Sequence, residues 1–134
     1  MKYLFLLVIF SVIGCADQRP EDRPAEPAAD TTARAAQTRC GWFLNPTPGN
    51  AWLTDRDGEW TVGMQGGHQA EGEWPEFEDE DWVAVNGSYG YGCACLVATV
   101  DSESRHILEI TSAEPRPLSV CRDDEALANW ESQM

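Results

Sequence analysis

Lysine is nearly missing from this chain: of 134 residues only Lys2 is one, and nine Lys+Arg in all face 23 Asp+Glu, a formal charge of −14. Nucleic-acid binding needs clustered cations to neutralise phosphates, so this composition excludes a nucleic-acid partner. Histidine is scarce as well, with His68 and His106 alone, and no H-E-x-x-H, H-x-H, C-x-x-C or G-x-S-x-G pattern occurs. The common frames for zinc hydrolysis, thiol redox chemistry and an activated serine are thus absent. The chain reads as a binding protein rather than an enzyme, with no cofactor and no metal site. Asp55-x-Asp57-x-Glu59 starts like a calcium loop, but Trp60 and Gly66 stand where that loop needs Gly and Glu. No apolar run reaches the roughly 20 residues of a membrane-spanning helix. General disorder is excluded too, because 43% of the residues are hydrophobic and six are tryptophan.

What is present begins with an export signal. Lys2 precedes an apolar stretch from Leu4 to Ile13, which ends at Gly14-Cys15. A basic tip, a ten-residue apolar run and a small residue before the cut are the parts of a secretory signal. Val12-Ile13-Gly14-Cys15 resembles the bacterial lipobox. That resemblance implies cleavage after residue 14, acylation of Cys15 and a stable hold on the lipid bilayer through several acyl chains. Ala16 follows the cysteine and Asp17 comes one place too late for inner-membrane retention. The expected address is therefore the outer membrane, facing the periplasm.

Residues 15–38 contain no aromatic residue and no Val, Ile or Leu, and Pro20, Pro24 and Pro27 interrupt them. Such a segment cannot bury enough apolar area to offset its ordering entropy, and it reads as a tether. Extended at about 3 Å per residue it would reach roughly 50–70 Å.

The domain is expected over residues 39–134, with five Arg against 18 acids. A unit this small is marginal unless stapled. Setting Cys15 aside for lipid chemistry leaves Cys40, Cys93, Cys95 and Cys121, an even number in an oxidising compartment. Cys93 and Cys95 lie on one face of a strand, and a bond between them would close a poor ring. Two connectivities remain. Cys40–Cys95 with Cys93–Cys121 is preferred, because Cys121 follows the strand that returns beside residues 93–100.

Short β-prone runs separated by Gly and Pro turns predict a mainly β fold. The expected form is a small antiparallel sandwich or barrel of about five to seven strands. Cys40–Leu44, Ala51–Thr54, Glu59–Met64, Trp82–Asn86, Tyr91–Val100 and Arg105–Thr111 are the strand candidates, with hairpin turns at Asp57-Gly58 and Asp101–Ser104. Asp123-Asp124-Glu125 predicts the start of a short C-terminal helix through Trp130.

An acidic loop runs from Glu71 to Asp81 and holds Trp74 before Pro75. Trp74 is expected to be exposed there. With Tyr89, Tyr91, Glu76 and Asp79 it forms the candidate ligand surface, suited to a cationic protein or a glycan. A specific form is inhibition of a cationic enzyme such as lysozyme. The alternatives are a small carboxylate-dependent hydrolase of envelope glycans and a purely structural lipoprotein.

Arg39-Cys40-Gly41-Trp42, Asn45-Pro46-Thr47-Pro48-Gly49-Asn50, Asp57-Gly58-x-Trp60, Gly90-Tyr91-Gly92-Cys93-Ala94-Cys95 and Pro117-Leu118-Ser119-x-Cys121-Arg122 together resemble a small secreted bacterial family marked by an RCGW motif, domain of unknown function 4087. The resemblance spans about residues 39–122. It implies an exported bacterial protein and carries no activity with it.

Overall fold

The computed structural model describes residues 35–134. The signal, Cys15 and the tether as far as residue 34 lie outside the described residues. Six strands follow in order: β1 (Gln37–Thr47), β2 (Asn50–Asp55), β3 (Gly58–Gly63), β4 (Trp82–Asn86), β5 (Tyr89–Asp101) and β6 (His106–Arg116). One short helix, α1 (Leu118–Arg122), comes after them.

The sheet closes on itself. β1, β2 and β3 form an antiparallel meander, β5 and β6 a hairpin, and β1 pairs antiparallel with β5 from Gln37↔Ala98 to Asn45↔Gly90. A narrow parallel contact of β3 with β6, at Thr61↔His106, completes the circle β1-β2-β3-β6-β5-β1. This is a partly open, five-stranded Greek-key barrel, the architecture of OB folds. The fold expectation is met, in its barrel form. β5 is long enough to use one edge twice, with β4 at Tyr89–Gly92 and β6 from Cys93 onward.

The barrel interior holds Phe43, Leu53, Trp60, Val62, Leu96, Val100 and Ile107, all buried. β1 shows how one motif serves several layers. Arg39, Gly41 and Phe43 point inward and Cys40 and Trp42 outward, since side chains alternate. Gly41 sits where β2 crosses closely; a Cβ there would run into the Thr54 carbonyl. The strand is longer than Cys40–Leu44 because Gln37–Arg39 also pair with β5. At its other end Pro46 falls in the irregular stretch between Leu44 and Thr47, where a missing N–H is tolerated.

A second, smaller core covers the outer faces of β1 and β5. Trp42, Tyr91 and Cys93 pack there against Cys121 and Leu127, with Trp130 alongside. Trp42 stacks on Trp130 with centroids 5.4 Å apart and donates its Nε1–H to the Leu127 carbonyl at 3.2 Å. Both disulfides lie on this side, Cys40–Cys95 between β1 and β5 and Cys93–Cys121 from β5 to α1. The preferred connectivity is the one found.

The helix lies earlier than expected. It occupies Leu118–Arg122, directly after Pro117, whose fixed φ of −52° suits the approach to a first turn. The Asp123–Trp130 stretch forms turns instead. Asp124 accepts the Ala126 N–H on its side chain and those of Leu127 and Ala128 on its carbonyl. A short polar side chain competing for nearby N–H groups favours turns in this way.

Candidate ligand groove

The acidic loop is amphipathic. Trp74, Pro75 and Phe77 turn toward the barrel, while Glu71, Glu73, Glu76, Glu78, Asp79 and Glu80 are exposed. Trp74 and Phe77 plug one mouth of the barrel over Phe43, with centroids 5.9 and 6.1 Å away, and Phe77 continues to Trp82 at 4.9 Å. Gly63 makes room for this plug, since a Cβ there would lie 2.8 Å from the Trp74 ring. Trp74 is therefore half-buried and anchors the loop, in contrast to the exposed position expected for it. The missed signal is the spacing of Trp74, Pro75 and Phe77 among glutamates.

Fixing the loop in this way opens a groove of about 440 Å³ between it and the second half of β6. Glu73, Trp74 and Glu76 form one wall; Thr111, Ser112, Ala113 and Pro115 form the other. Its size lies in the range of ligand sites. The wall from β6 offers hydroxyls and backbone, the loop wall offers the Trp74 indole and two exposed carboxylates, and no cation among the described residues lines it. With 18 acids against five arginines over residues 39–134, the groove lies in a negative field that attracts cations.

The other sequence candidates lie elsewhere. Asp79 opens an exposed 3-10 turn, Asp79–Asp81, beyond Phe77. Tyr89 is half-buried at the start of β5, opposite Asn86. Tyr91 is buried at 8% exposure and belongs to the second core, so it forms no common surface with Trp74. Its hydroxyl donates to Glu131 at 2.8 Å, and Glu131 also accepts from Nε and Nη2 of Arg122 at 2.9 Å each. Arg122 first, then the Tyr91 hydroxyl, hold the Glu131 carboxyl below its ordinary range; burial chiefly, then Glu131, pushes the Tyr91 phenol up. The result is a clamp on the C-terminal segment. Two of the calcium-like acids are likewise structural: Asp55 accepts from the Asp57 N–H, Trp60 Nε1 and Arg39, and Asp57 accepts from Arg39.

Sequence reasoning held Glu73 only as one acid of the loop and missed the β6 wall. Thr111-Ser112-Ala113 was a possible cue, a run of small residues where a strand with one buried face would alternate with larger apolar ones.

Fold and groove together define a small, disulfide-stapled, acidic β-barrel. The family model described as "Protein of unknown function (DUF4087)" matches residues 34–128, and the chain belongs to that family. No curated protein and no solved structure matches the chain.

Proposed function

We propose that this protein is a bacterial envelope lipoprotein whose barrel acts by binding, with the acidic groove as its site and a cationic protein as its ligand. The observation that carries the reading is the groove itself: the Trp74 indole flanked by Glu73 and Glu76, which face solvent, with no lining cation among the described residues. Two exposed carboxylates suit the head of an arginine or lysine side chain, and the indole offers apolar surface to its methylene stem. Binding rather than hydrolysis is favoured because Glu73 and Glu76 are exposed, whereas glycan hydrolysis relies on carboxylates in a site that closes around the sugar. The tether and a lipid on Cys15 would hold the groove off the outer membrane, within reach of soluble basic proteins.

Lysozyme is the first probe. Capture on immobilised protein is expected at low salt, to weaken at moderate salt, and to fall with Glu73→Gln/Glu76→Gln. No salt-sensitive complex would overturn the reading. Mass spectrometry of the membrane fraction should show Cys15 acylated at the mature N-terminus; a soluble product with unmodified Cys15 would overturn the address.

A further inference from the structure

We propose that the groove receives its ligand as an extended peptide segment with alternating basic residues, paired main chain to main chain with the outer edge of β6 at Ala113. This rests on the cationic-ligand reading of the same groove and adds how the ligand is held.

The outer edge of β6 is used only along its first half. β3 touches it at Thr61↔His106. Glu71 then adds one parallel rung, giving its N–H to the Leu108 carbonyl at 2.9 Å and accepting the Ile110 N–H at 2.7 Å. There the loop leaves the sheet. Gly72 takes φ 93°, and a Cβ at that position would collide with the Ile110 carbonyl. From Thr111 onward no strand among the described residues continues the ladder on this side. The groove runs along that open stretch.

The free backbone groups can be assigned. The Cys40 and Cys95 Cα atoms face each other at 4.0 Å, the close spacing of a non-hydrogen-bonded pair. Cys95 therefore turns its N–H and C=O to its other neighbour, Glu114 of β6. By alternation Ala113 turns its own pair away from β5, toward the groove. Pro115, the next residue so disposed, contributes a carbonyl and no N–H. The edge thus offers one donor and two acceptors, spaced two residues or about 7 Å apart. That suits a short strand and blunts open-ended association, as a proline on an edge does. Adding a strand to an exposed sheet edge is an established mode of peptide recognition.

Charge selects the occupant. Glu73 and Glu76 border the open edge, and Glu71 and Glu109 stand where the ladder stops. The chain's own residues 16–34 carry five acids against three arginines, and a second copy of the domain is more acidic still. Both are disfavoured by like charge, whereas a segment with a basic residue at every second position lines one face with cations.

The test uses the mature protein and the synthetic peptide Arg-Val-Arg-Val-Arg-Val. Two further peptides carry backbone N-methyl groups on alternate residues, one set blocking each edge at unchanged charge. One methylated form is expected to bind about tenfold more weakly and the other nearly as well as the parent, a single hydrogen bond's worth of discrimination. Saturating peptide should slow exchange of the Ala113 amide by at least about tenfold. Equal binding of both methylated forms with unchanged Ala113 exchange overturns the strand pairing and leaves the acidic-groove reading standing. Peptide affinity indifferent to Glu73→Gln/Glu76→Gln overturns that reading itself. An Ala113 amide protected before any peptide is added gives the edge to the chain's own segment or a second copy, and one protected by a chitin oligosaccharide but not the peptide gives the groove to a glycan; either overturns the proposal.

Discussion

The Arg39 guanidinium lies 3.9 Å from the Trp60 ring centroid, and its Nη1 donates to Asp55 at 2.6 Å. Arg105 also stacks on Trp60, at 4.2 Å. These residues close the barrel mouth opposite the Trp74 plug, where the β2–β3 and β5–β6 turns meet. Asp55 is 6% exposed, and Arg39 is the cation paired with it. Breaking a buried pair by removing one partner costs about 3–5 kcal/mol. Because the Asp57 and Trp60 donors remain, Arg39→Met is expected to lose about 2–3 kcal/mol in urea unfolding. A loss below about 0.5 kcal/mol, the size of an ordinary surface change, would show that the cluster is not a stabilising plug.

The two disulfides hold different layers. Loop closure over 55 and 28 residues predicts about 4 kcal/mol for Cys40–Cys95 and slightly less for Cys93–Cys121. Their local consequences should separate. Cys93→Ala/Cys121→Ala frees α1, so Trp130 should leave Trp42, with altered tryptophan fluorescence and faster proteolysis after Arg122. Cys40→Ala/Cys95→Ala should leave that stack in place. Identical fluorescence and cleavage in the two variants would contradict the layered arrangement.

Gly41 supplies a sharper check on barrel closure. A Cβ there meets the Thr54 backbone, which belongs to a packed strand and cannot swing aside. Gly41→Ala should cost about 3 kcal/mol, at the upper end for overpacking. Gly67→Ala, whose new Cβ would find only ordinary contacts with Met64 at 3.6 Å and beyond, is the control and should stay within about 0.5 kcal/mol. Thermal unfolding of the pair decides it.

These positions also show where the sequence was readable. Asp57-Gly58 and Asp101–Ser104 carry their turn chemistry locally, and the C-x-C spacing of Cys93 and Cys95 restricts the bridges by strand alternation alone. Gly41 gives no such signal, because its reason is a strand 13 residues away in sequence, at Thr54. The parallel β3–β6 contact that closes the barrel was equally hidden, as it joins segments with no shared turn. Asp123-Asp124-Glu125 resembled a helix start, yet the Cys121 tether and the Asp124 turn bonds shape that stretch. Trp74 misled because the acids around it are exposed while the indole points the other way. The groove depends on both errors of distance: its two walls are more than 30 residues apart, and only packing of Trp74 and Phe77 over Phe43 sets the gap.

The Tyr91–Glu131–Arg122 clamp makes the C-terminal layer sensitive to pH at both ends. Glu131 is held below its ordinary range in the folded state, first by Arg122 and then by Tyr91. Its stabilisation is therefore present above the unfolded carboxylate value of about 4.3 and is lost as pH falls through the lower folded value. Tyr91 is shifted the opposite way, chiefly by burial. Its contribution is complete below the unfolded phenol value of about 10 and is lost as pH rises through the higher folded one. Fluorescence of the Trp42–Trp130 stack should thus be steady across neutral pH and change at both extremes. Glu131→Gln should flatten the acid limb, and Tyr91→Phe the alkaline one. An acid limb of unchanged size in Glu131→Gln would assign the transition to other carboxylates and remove the clamp from the account.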